Sequence, residues 1–253
     1  MDAPPPPSRW ETFDRRSSER EALVASLDPI VAACPQLSKA KSCAMIGSGY
    51  GHLDLPFVKG CMPNVERFAA VEPDADQMAK MRTNVAEQLP NASVEFFQET
   101  AQDWKGCDGE RFDVVLLFHC LYYVPALKRD DLYRKLFDGV VATGGLVCIL
   151  ISPCNLEEPT TLCRLLGLTT AERYLDGNRV GAKMAEAGFR EHYTTSMDCH
   201  LDVAEPNDDI MKGMSRSTGG RMTPEAIREK LHELIGSDRY LPDTMFFGVY
   251  VKP

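Results

Sequence analysis

The sequence has no long apolar run, no closely spaced cysteine pair and no excess of basic residues. No apolar stretch approaches the length of a membrane span, and the opening MDAPPPPSRW lacks the basic and apolar regions of a signal peptide. We therefore expect no membrane partner and a cytoplasmic location. With 37 acidic against 28 basic residues, the chain also offers no basic stripe for the phosphates of a nucleic acid.

The nine cysteines are scattered, and none has the C-x-x-C spacing typical of zinc and redox sites. Cys43 and Cys148 lie within apolar runs, where cysteine behaves as a small hydrophobic side chain. We expect reduced thiols and no metal site, as is usual in the cytosol. No heptad pattern requires a partner chain, so the expected state is a monomer.

The length of 253 residues, with 44% hydrophobic and 26% charged residues, suits one large α/β domain. Residues 1–9 are rich in proline, which predicts a disordered tail before a single domain over 10–253. Within that domain, 10–40 is expected to form a lid over a ligand or a packing element, and the apolar spacing from Trp10 to Ala33 predicts helix. The segment 205–240 is expected to form a small cap over the substrate.

Short apolar or alternating runs predict about seven strands separated by helices, which indicates a Rossmann-like α/β sheet with helices on both faces and an antiparallel last strand. The predicted strands are 43–46, 68–72, 93–97, 112–118, 146–152, 189–200 and 245–251. The helix after the second strand is predicted to begin with Asp74 as its N-cap, and a further helix is predicted over 130–140.

The first predicted strand ends in a turn with glycine at alternate positions, Gly47, Gly49 and Gly51. Glycine lets a ligand approach the backbone without an intervening Cβ. A dinucleotide-binding turn would need its third glycine where this chain has His52, and the Gly-Lys-Ser/Thr of a phosphate-binding loop is absent. The second strand ends in Glu72, an acid placed to accept hydrogen bonds from a ribose diol. The sequence therefore predicts a nucleoside cofactor.

Glycines in this spacing, followed by an acid-tipped strand, resemble motifs I and II of class I S-adenosylmethionine-dependent methyltransferases. Four further stretches are similar to the histamine N-methyltransferase family, and together they cover most of the chain in patches. They are VEPDADQMAK from Val71, Glu99-Thr100, LYYV from Leu121, and DTMFFGVY from Asp243. The resemblance implies a class I methyltransferase fold, S-adenosylmethionine as methyl donor, S-adenosylhomocysteine as product and a small amine as acceptor.

The resemblance also assigns roles to individual residues. Those implied to bind the cofactor are Gly47, Ser48, Gly49, Gly51, Glu72, Pro73, Gln77, Glu99, Thr100, Ala101, Phe118 and His119. Those implied to bind the substrate are Glu19, His119, Tyr122, Tyr123 and Asp243, and catalysis is assigned to His119, Asp243 and Glu19. His119 stands where the family has glutamine and Asp243 where it has asparagine, so the departures concern the substrate more than the reaction.

Methyl transfer from a sulfonium needs a neutral nucleophile in line with the S–CH3 bond, so positioning can supply most of the catalysis. An aliphatic ammonium has no lone pair, whereas an imidazole is mostly neutral at pH 7. We therefore expect N-methylation of an amine or imidazole compound whose cationic tail binds Glu19 or Asp243. His119 would orient the nucleophilic nitrogen or remove its proton.

Three alternatives remain open at this point. The first is an O-methyltransferase in which His119 is the base. The second is a protein that binds S-adenosylmethionine without turnover. The third is a nicotinamide-dependent dehydrogenase, which the glycine spacing and the absence of a Tyr-x-x-x-Lys pair disfavour.

Overall fold

A computed structural model describes residues 9–107, 109–153, 165, 175–205, 207–217 and 222–253. Its strands are β1 Ser42–Ile46, β2 Arg67–Val71, β3 Ser93–Phe97, β4 Phe112–Phe118, β5 Val141–Ile151, β6 Arg190–Asp202 and β7 Tyr240–Val251. They form one seven-stranded sheet in the order β3-β2-β1-β4-β5-β7-β6. β1 to β5 pair in parallel, and β7 runs antiparallel between β5 and β6.

Helices cover both faces of this sheet. They are α1 Arg9–Asp14, α2 Glu19–Ala25, α3 Leu27–Ala33, α4 Asp54–Cys61, α5 Ala75–Gln88, α6 Ala126–Lys135, α7 Gly177–Glu186, α8 Asp208–Ser217 and α9 Pro224–Ile235. The side chains of α3, α4 and α5 pack on one face and those of α6 and α7 on the other, each forming a buried apolar cluster. The Rossmann-like α/β architecture predicted from the sequence, with an antiparallel last strand, is confirmed.

Burial on both faces explains the composition of the central strands. Every residue of β1 is buried, as are all residues of β4 except Asp113. The chain crosses from β1 to β2 on one side and returns to β4 on the other side of β1. In such a sheet, ligands bind at the carboxyl ends of the two strands where the order reverses.

The N-terminal segment differs from the continuous helical pattern predicted for it. α1 and α2 are separated because the intervening residues bond to β6. Ser17 forms a bridge with Leu201, the Ser18 amide donates to the His200 carbonyl at 2.9 Å, and the His200 amide donates to Ser18 Oγ at 2.9 Å. These contacts are long-range, so apolar spacing alone could not predict them.

Two helices within the predicted cap, α8 and α9, pack around a third apolar cluster that includes Leu201 and Leu241 from β6 and β7. Phe13 of α1 packs against the same cluster. α1 begins at Arg9, the last residue of the predicted disordered tail, and the rest of that tail lies outside the described residues, as does most of 153–176.

The structure also describes the cysteines, the lengths of the helices and the bounds of α6. The described cysteines are free thiols, namely Cys34, Cys43, Cys61, Cys107, Cys120, Cys148 and Cys199. No helix within the described ranges is both long enough and apolar enough to cross a bilayer. The helix predicted over 130–140 begins earlier, at Ala126 after Pro125, and ends in a π-helical turn at Leu136–Val140.

Asp113 of β4 hydrogen-bonds to the start of β1, and replacing it tests how much these bonds stabilise the sheet. Its Oδ2 accepts hydrogen bonds from the amides of Lys41 at 2.7 Å and Ser42 at 3.0 Å. We expect Asp113→Ala to lower the free energy of unfolding by about 1 to 3 kcal/mol, because it leaves these donors without their acceptor. Asp131→Ala, an exposed acid 3.8 Å from Arg134, should change it by less than about 0.5 kcal/mol. Equal effects in urea titrations would contradict this account.

Candidate active site

The turn after β1 lies at the carboxyl end of the sheet. Gly47, Gly49 and Gly51 have φ angles of +66°, +53° and +82°. The Gly47 amide donates to the Val71 carbonyl at the end of β2, at 2.7 Å. A Cβ at Gly47 would lie 2.4 Å from Cβ of Cys120, whereas a Cβ at Gly49 would meet only Oε1 of Gln77, at 3.9 Å. Gly47 is therefore required by packing, and Gly49 leaves room for a ligand to approach the backbone.

Glu72 follows β2 and faces this turn. Its Oε2 accepts from the Gly49 amide at 2.9 Å, and its Oε1 accepts from the Asp74 amide at 3.0 Å. Asp74 in turn caps α5 by accepting from the amides of Asp76 and Gln77, as the sequence predicted. Burial raises the pKa of Glu72, which is 8% exposed. The turn, Glu72 and Gln77 together form a cradle at the carboxyl ends of β1 and β2, in which the Glu72 carboxylate is the group that could accept hydrogen bonds from a ribose diol.

The loop after β3 adds a second wall to the cradle. Ala101 is buried, Thr100 is partly buried and Glu99 is exposed. Lys135 of α6 fixes this loop, since its Nζ donates to the carbonyls of Ala101 and Trp104, both at 2.6 Å. Ala101 is thus held in place by α6, and its small side chain packs in the apolar cluster that contains Trp104.

α1 contacts the other side of the glycine turn. The Tyr50 hydroxyl donates to Asp14 Oδ2 at 2.6 Å, and Lys80 Nζ of α5 donates to Glu11 Oε2 at 2.6 Å. The predicted lid segment is therefore bonded directly to the candidate cofactor turn.

His119 follows β4 and has an unusual backbone conformation. Its φ is +48°, and among the described residues it is the one non-glycine residue with a positive φ. The left-handed region costs about 1 to 2 kcal/mol for such a residue and is found at functional sites. His119 Nδ1 lies 3.3 Å from the Tyr122 hydroxyl, and the two rings stack at 6.0 Å. The Tyr122 hydroxyl also accepts from the Ser152 amide, so the imidazole orientation is fixed from β5.

Two acids and a thiol gather beside His119. Asp243 on β7 and Cys199 on β6 are directly opposite each other in the antiparallel ladder. The bridge from Ser17 to Leu201 brings the first residue of α2, Glu19, to the same place. Ligand atoms of Glu19, Cys199 and Asp243 lie within 4.8 Å of one another, and all three side chains are buried. Glu19 Oε2 is 3.8 Å from His119 Nε2.

Burial dominates the electrostatics of this cluster. It raises the pKa of Glu19 to about 7. It raises the pKa of Asp243 to about 6, with a further contribution from the charge of Glu19, while the Thr244 amide, the Ser152 hydroxyl and His119 oppose the shift. It lowers the pKa of His119 to about 4. At neutral pH the imidazole is therefore a neutral group that can accept a proton, next to two carboxyl groups that form no ion pair with a lysine or arginine among the described residues.

The remaining predicted site residues are placed differently. Tyr123 is 62% exposed, and its ring meets the Tyr122 ring edge-on, with the ring centroids 6.3 Å apart. The Phe118 ring packs in the core against Phe57 and Phe247, with ring centroids 5.3 and 6.2 Å away. Cys199 was missed by sequence analysis, because a cysteine at a buried position of an alternating strand carries no chemical signal of its own.

Gly47 can be tested against a glycine of similar conformation. Gly144 has φ of +76°, but a Cβ there would have nothing within 4 Å. Gly144→Ala should cost about 1 kcal/mol through backbone strain alone. Gly47→Ala adds the clash with Cys120, so we expect a larger loss of thermal stability and a loss of nucleoside binding. Equal melting temperatures for the two variants would show that the contact with Cys120 is not a constraint.

Comparisons with known proteins agree with this geometry. Residues 44–145, which contain the glycine turn, Glu72 and His119, match the family model described as a methyltransferase domain. No curated protein sequence is significantly similar to the chain.

Three solved structures illustrate the fold. A protein from Bacillus halodurans C-125, named as a candidate methyltransferase, superposes with a TM-score of 0.65 at 15% identity, covering 91% of this chain and 98% of that one. The N-methyltransferase NodS from Bradyrhizobium japonicum WM9 gives 0.56 at 10% identity, covering 93% and 99%. StiE O-MT gives 0.55 at 14% identity, covering 90% and 74%. The chain has the class I methyltransferase fold, and its matched domain supports an S-adenosylmethionine-dependent methyltransferase.

Proposed function

We propose that this protein transfers a methyl group from S-adenosylmethionine to a nitrogen of a small, histamine-like amine or imidazole compound. The observation that carries the proposal is the pair of buried carboxyl groups, Glu19 and Asp243, next to the neutral imidazole of His119. The same cluster supports the substrate-binding and catalytic roles that sequence analysis gave to these three residues.

The two carboxyl groups favour a cationic ligand. Both oxygens of Asp243 are buried and receive no hydrogen bond of ordinary distance and angle from the described residues. Burial raises the pKa of Asp243, although the Thr244 amide and the Ser152 hydroxyl lie close enough to oppose that rise. Burying an unpaired carboxylate is costly, whereas an ammonium group supplies three donors and a compensating charge. A metal ion bound by Glu19, Cys199 and Asp243 would satisfy them too, so activity after treatment with a chelator is a necessary control.

His119 favours an acceptor that loses a proton. Because burial keeps its imidazole neutral, Nε2 can accept the proton that the methylated acceptor loses, and this nitrogen has no hydrogen-bond partner among the described residues. In an amine that proton comes from the attacking nitrogen, whereas in an imidazole it comes from the second ring nitrogen, because the attacking one carries none. Tyr122 holds the ring on its Nδ1 side. Attack by a neutral ring nitrogen, with the cationic tail of the same molecule held by Glu19 and Asp243, uses every group of the cluster except Cys199.

The cofactor would occupy the cradle described above. Glu72 would bind the ribose, with Gln77 beside it, and Ala101 would contact the adenine. The cofactor supplies an electrophilic methyl group on a sulfonium, so the protein has to position the acceptor and remove a proton. A cytoplasmic location and a monomeric state remain part of the proposal and follow from composition alone.

O-methylation is the second candidate, because a neutral His119 could equally deprotonate a hydroxyl group. The fold does not decide between the two, since both NodS, named an N-methyltransferase, and StiE O-MT share it. The decision therefore depends on whether the two acids bind a cation during turnover.

The direct test measures S-adenosylhomocysteine release with matched acceptors. Histamine carries an ammonium tail, N-acetylhistamine has the same ring with a neutral tail, and a catechol offers only hydroxyl groups. We expect turnover with the first and at least a tenfold lower kcat/KM with the second. Turnover on the catechol alone would favour O-methylation, and cofactor binding without any turnover would favour a non-catalytic role.

Variants of the two acids should separate binding from stability. Glu19→Gln and Asp243→Asn should each raise KM for a cationic acceptor about tenfold or more, because a charge-assisted hydrogen bond is lost. Glu21→Gln, an exposed acid on the same helix, serves as the control and should leave KM unchanged. An unchanged KM for both buried variants would remove the acids from the acceptor site.

The same variants make a prediction about pH. The folded protein holds a proton on Glu19 up to a pKa of about 7, above its usual value of 4.5, so stability contributed by the protonated form is lost as pH rises between these values. Glu19→Gln should therefore match the natural protein near pH 4 and exceed its free energy of unfolding by about 1 to 3 kcal/mol at pH 8. Thermal unfolding at several pH values measures this difference. A constant difference across the range would contradict it.

A further inference from the structure

Asp54 is a buried acid that the proposed function has not used. It is the first residue of α4 and is 4% exposed. Its Oδ1 is buried and has no hydrogen-bond partner within the described ranges, and the same holds for Oγ of Ser48 in the glycine turn. The segment from Ser48 to Asp54 thus carries two inward-facing oxygens whose hydrogen-bonding capacity is not used by the protein itself.

Asp54 is connected directly to the candidate cofactor turn. The Gly51 amide donates to the Ser48 carbonyl at 2.8 Å, and the Leu55 amide donates to the Gly51 carbonyl at 3.1 Å, so the turn runs without interruption into α4. A Cβ at Gly51 would lie 2.8 Å from the Leu55 side chain, which keeps turn and helix in close contact. Asp54 therefore has a fixed position relative to any ligand on the turn.

The groups that face Asp54 are acids and thiols. Besides burial, the charge of Glu72 at the end of β2 raises the pKa of Asp54. The charge of Asp54 in turn adds to the effect of burial in raising the pKa of the Cys43 thiol in β1 and of the Cys120 thiol after β4. Its backbone amide is the hydrogen-bond donor that stabilises its charged form. Burial, supported by the charge of Glu72, raises the pKa of Asp54 to about 8. None of these groups supplies a positive charge, so a carboxylate here is incomplete without a cation.

We infer that Asp54 binds the α-ammonium group of the amino-acid part of S-adenosylmethionine, with Ser48 as a second polar contact. The inference rests on the cofactor named under the proposed function and deepens it. Once Glu72 and Ala101 are assigned to the nucleoside, the amino-acid part lies over the glycine turn, and its ammonium is the group that has both the charge and the donors that Asp54 lacks. A purely structural acid at a helix start needs no such ligand.

Calorimetry with two ligands tests this assignment without turnover. S-adenosylhomocysteine carries the amino-acid part, whereas 5′-methylthioadenosine shares the nucleoside and thioether but lacks it. Asp54→Asn should bind S-adenosylhomocysteine at least tenfold more weakly and bind 5′-methylthioadenosine within about twofold of the natural protein. Glu72→Gln should weaken both ligands, and Asp76→Asn, an exposed acid in the first turn of α5, should weaken neither.

Proton release gives an independent readout. Asp54 is protonated in the free protein at pH 7, and an ammonium ligand favours its carboxylate, so binding should release up to one proton to the buffer. Binding enthalpies of S-adenosylhomocysteine in buffers of different ionisation enthalpy measure that proton. Asp54→Asn should reduce the release, whereas 5′-methylthioadenosine should cause less release even with the natural protein.

A ligand variant covers the case in which Asp54→Asn does not fold. The S-adenosylhomocysteine analogue with hydrogen in place of the α-amino group should bind the natural protein at least tenfold more weakly than the parent compound. Equal affinity for this analogue, or equal losses for both ligands in Asp54→Asn, would overturn the inference and leave the cofactor assignment intact. Failure of the natural protein to bind either S-adenosylhomocysteine or 5′-methylthioadenosine would overturn the cofactor assignment itself.

Discussion

The close packing of Gly47 against Cys120 is the contact on which the rest of the site depends. It brings the turn after β1 against the residues that follow β4, at the point where the strand order reverses. The same turn hydrogen-bonds to the end of β2 and to Glu72, so three neighbouring strand ends become one rigid unit. A side chain at Gly47 would force these strand ends apart, and with them the cradle and the segment that contains His119.

The buried acids of the proposed sites show a conflict between stability and binding. Glu19, Asp54 and Asp243 all have raised pKa values because burial disfavours their charged forms. A core built only for stability would place apolar or hydrogen-bonded groups at these positions. Asp54 and Asp243 each have a buried carboxyl oxygen without a hydrogen-bond partner among the described residues. Under the proposed function, the ammonium group of the cofactor and a cationic acceptor would supply the positive charge that these acids lack.

Sequence analysis predicted the fold well because parallel central strands are buried on both faces and therefore appear as short apolar runs, such as 43–46 and 112–118. It also predicted the cap of α5 at Asp74, since that interaction is local. It could not predict the break between α1 and α2, because Ser17 and Ser18 pair with residues of β6 more than 180 positions away. Asp54 was missed for a related reason. An acid at a helix start is usually exposed, and only tertiary packing shows that this one is buried.

The cluster proposed to bind the acceptor is assembled by long-range pairing, and this explains why its chemistry is harder to predict than that of the cradle. The cradle comes from consecutive βα units, so its residues lie near each other in the sequence. The cluster needs Glu19 from α2, His119 after β4 and Asp243 from β7, and the bridge from Ser17 to Leu201 sets the position of the first. Asp14 of α1 bonds to Tyr50 in the cofactor turn only a few residues before Glu19. One short N-terminal stretch thus contacts both the glycine turn and His119. The position of Glu19 therefore depends on the same segment that contacts the turn proposed to hold the methyl donor.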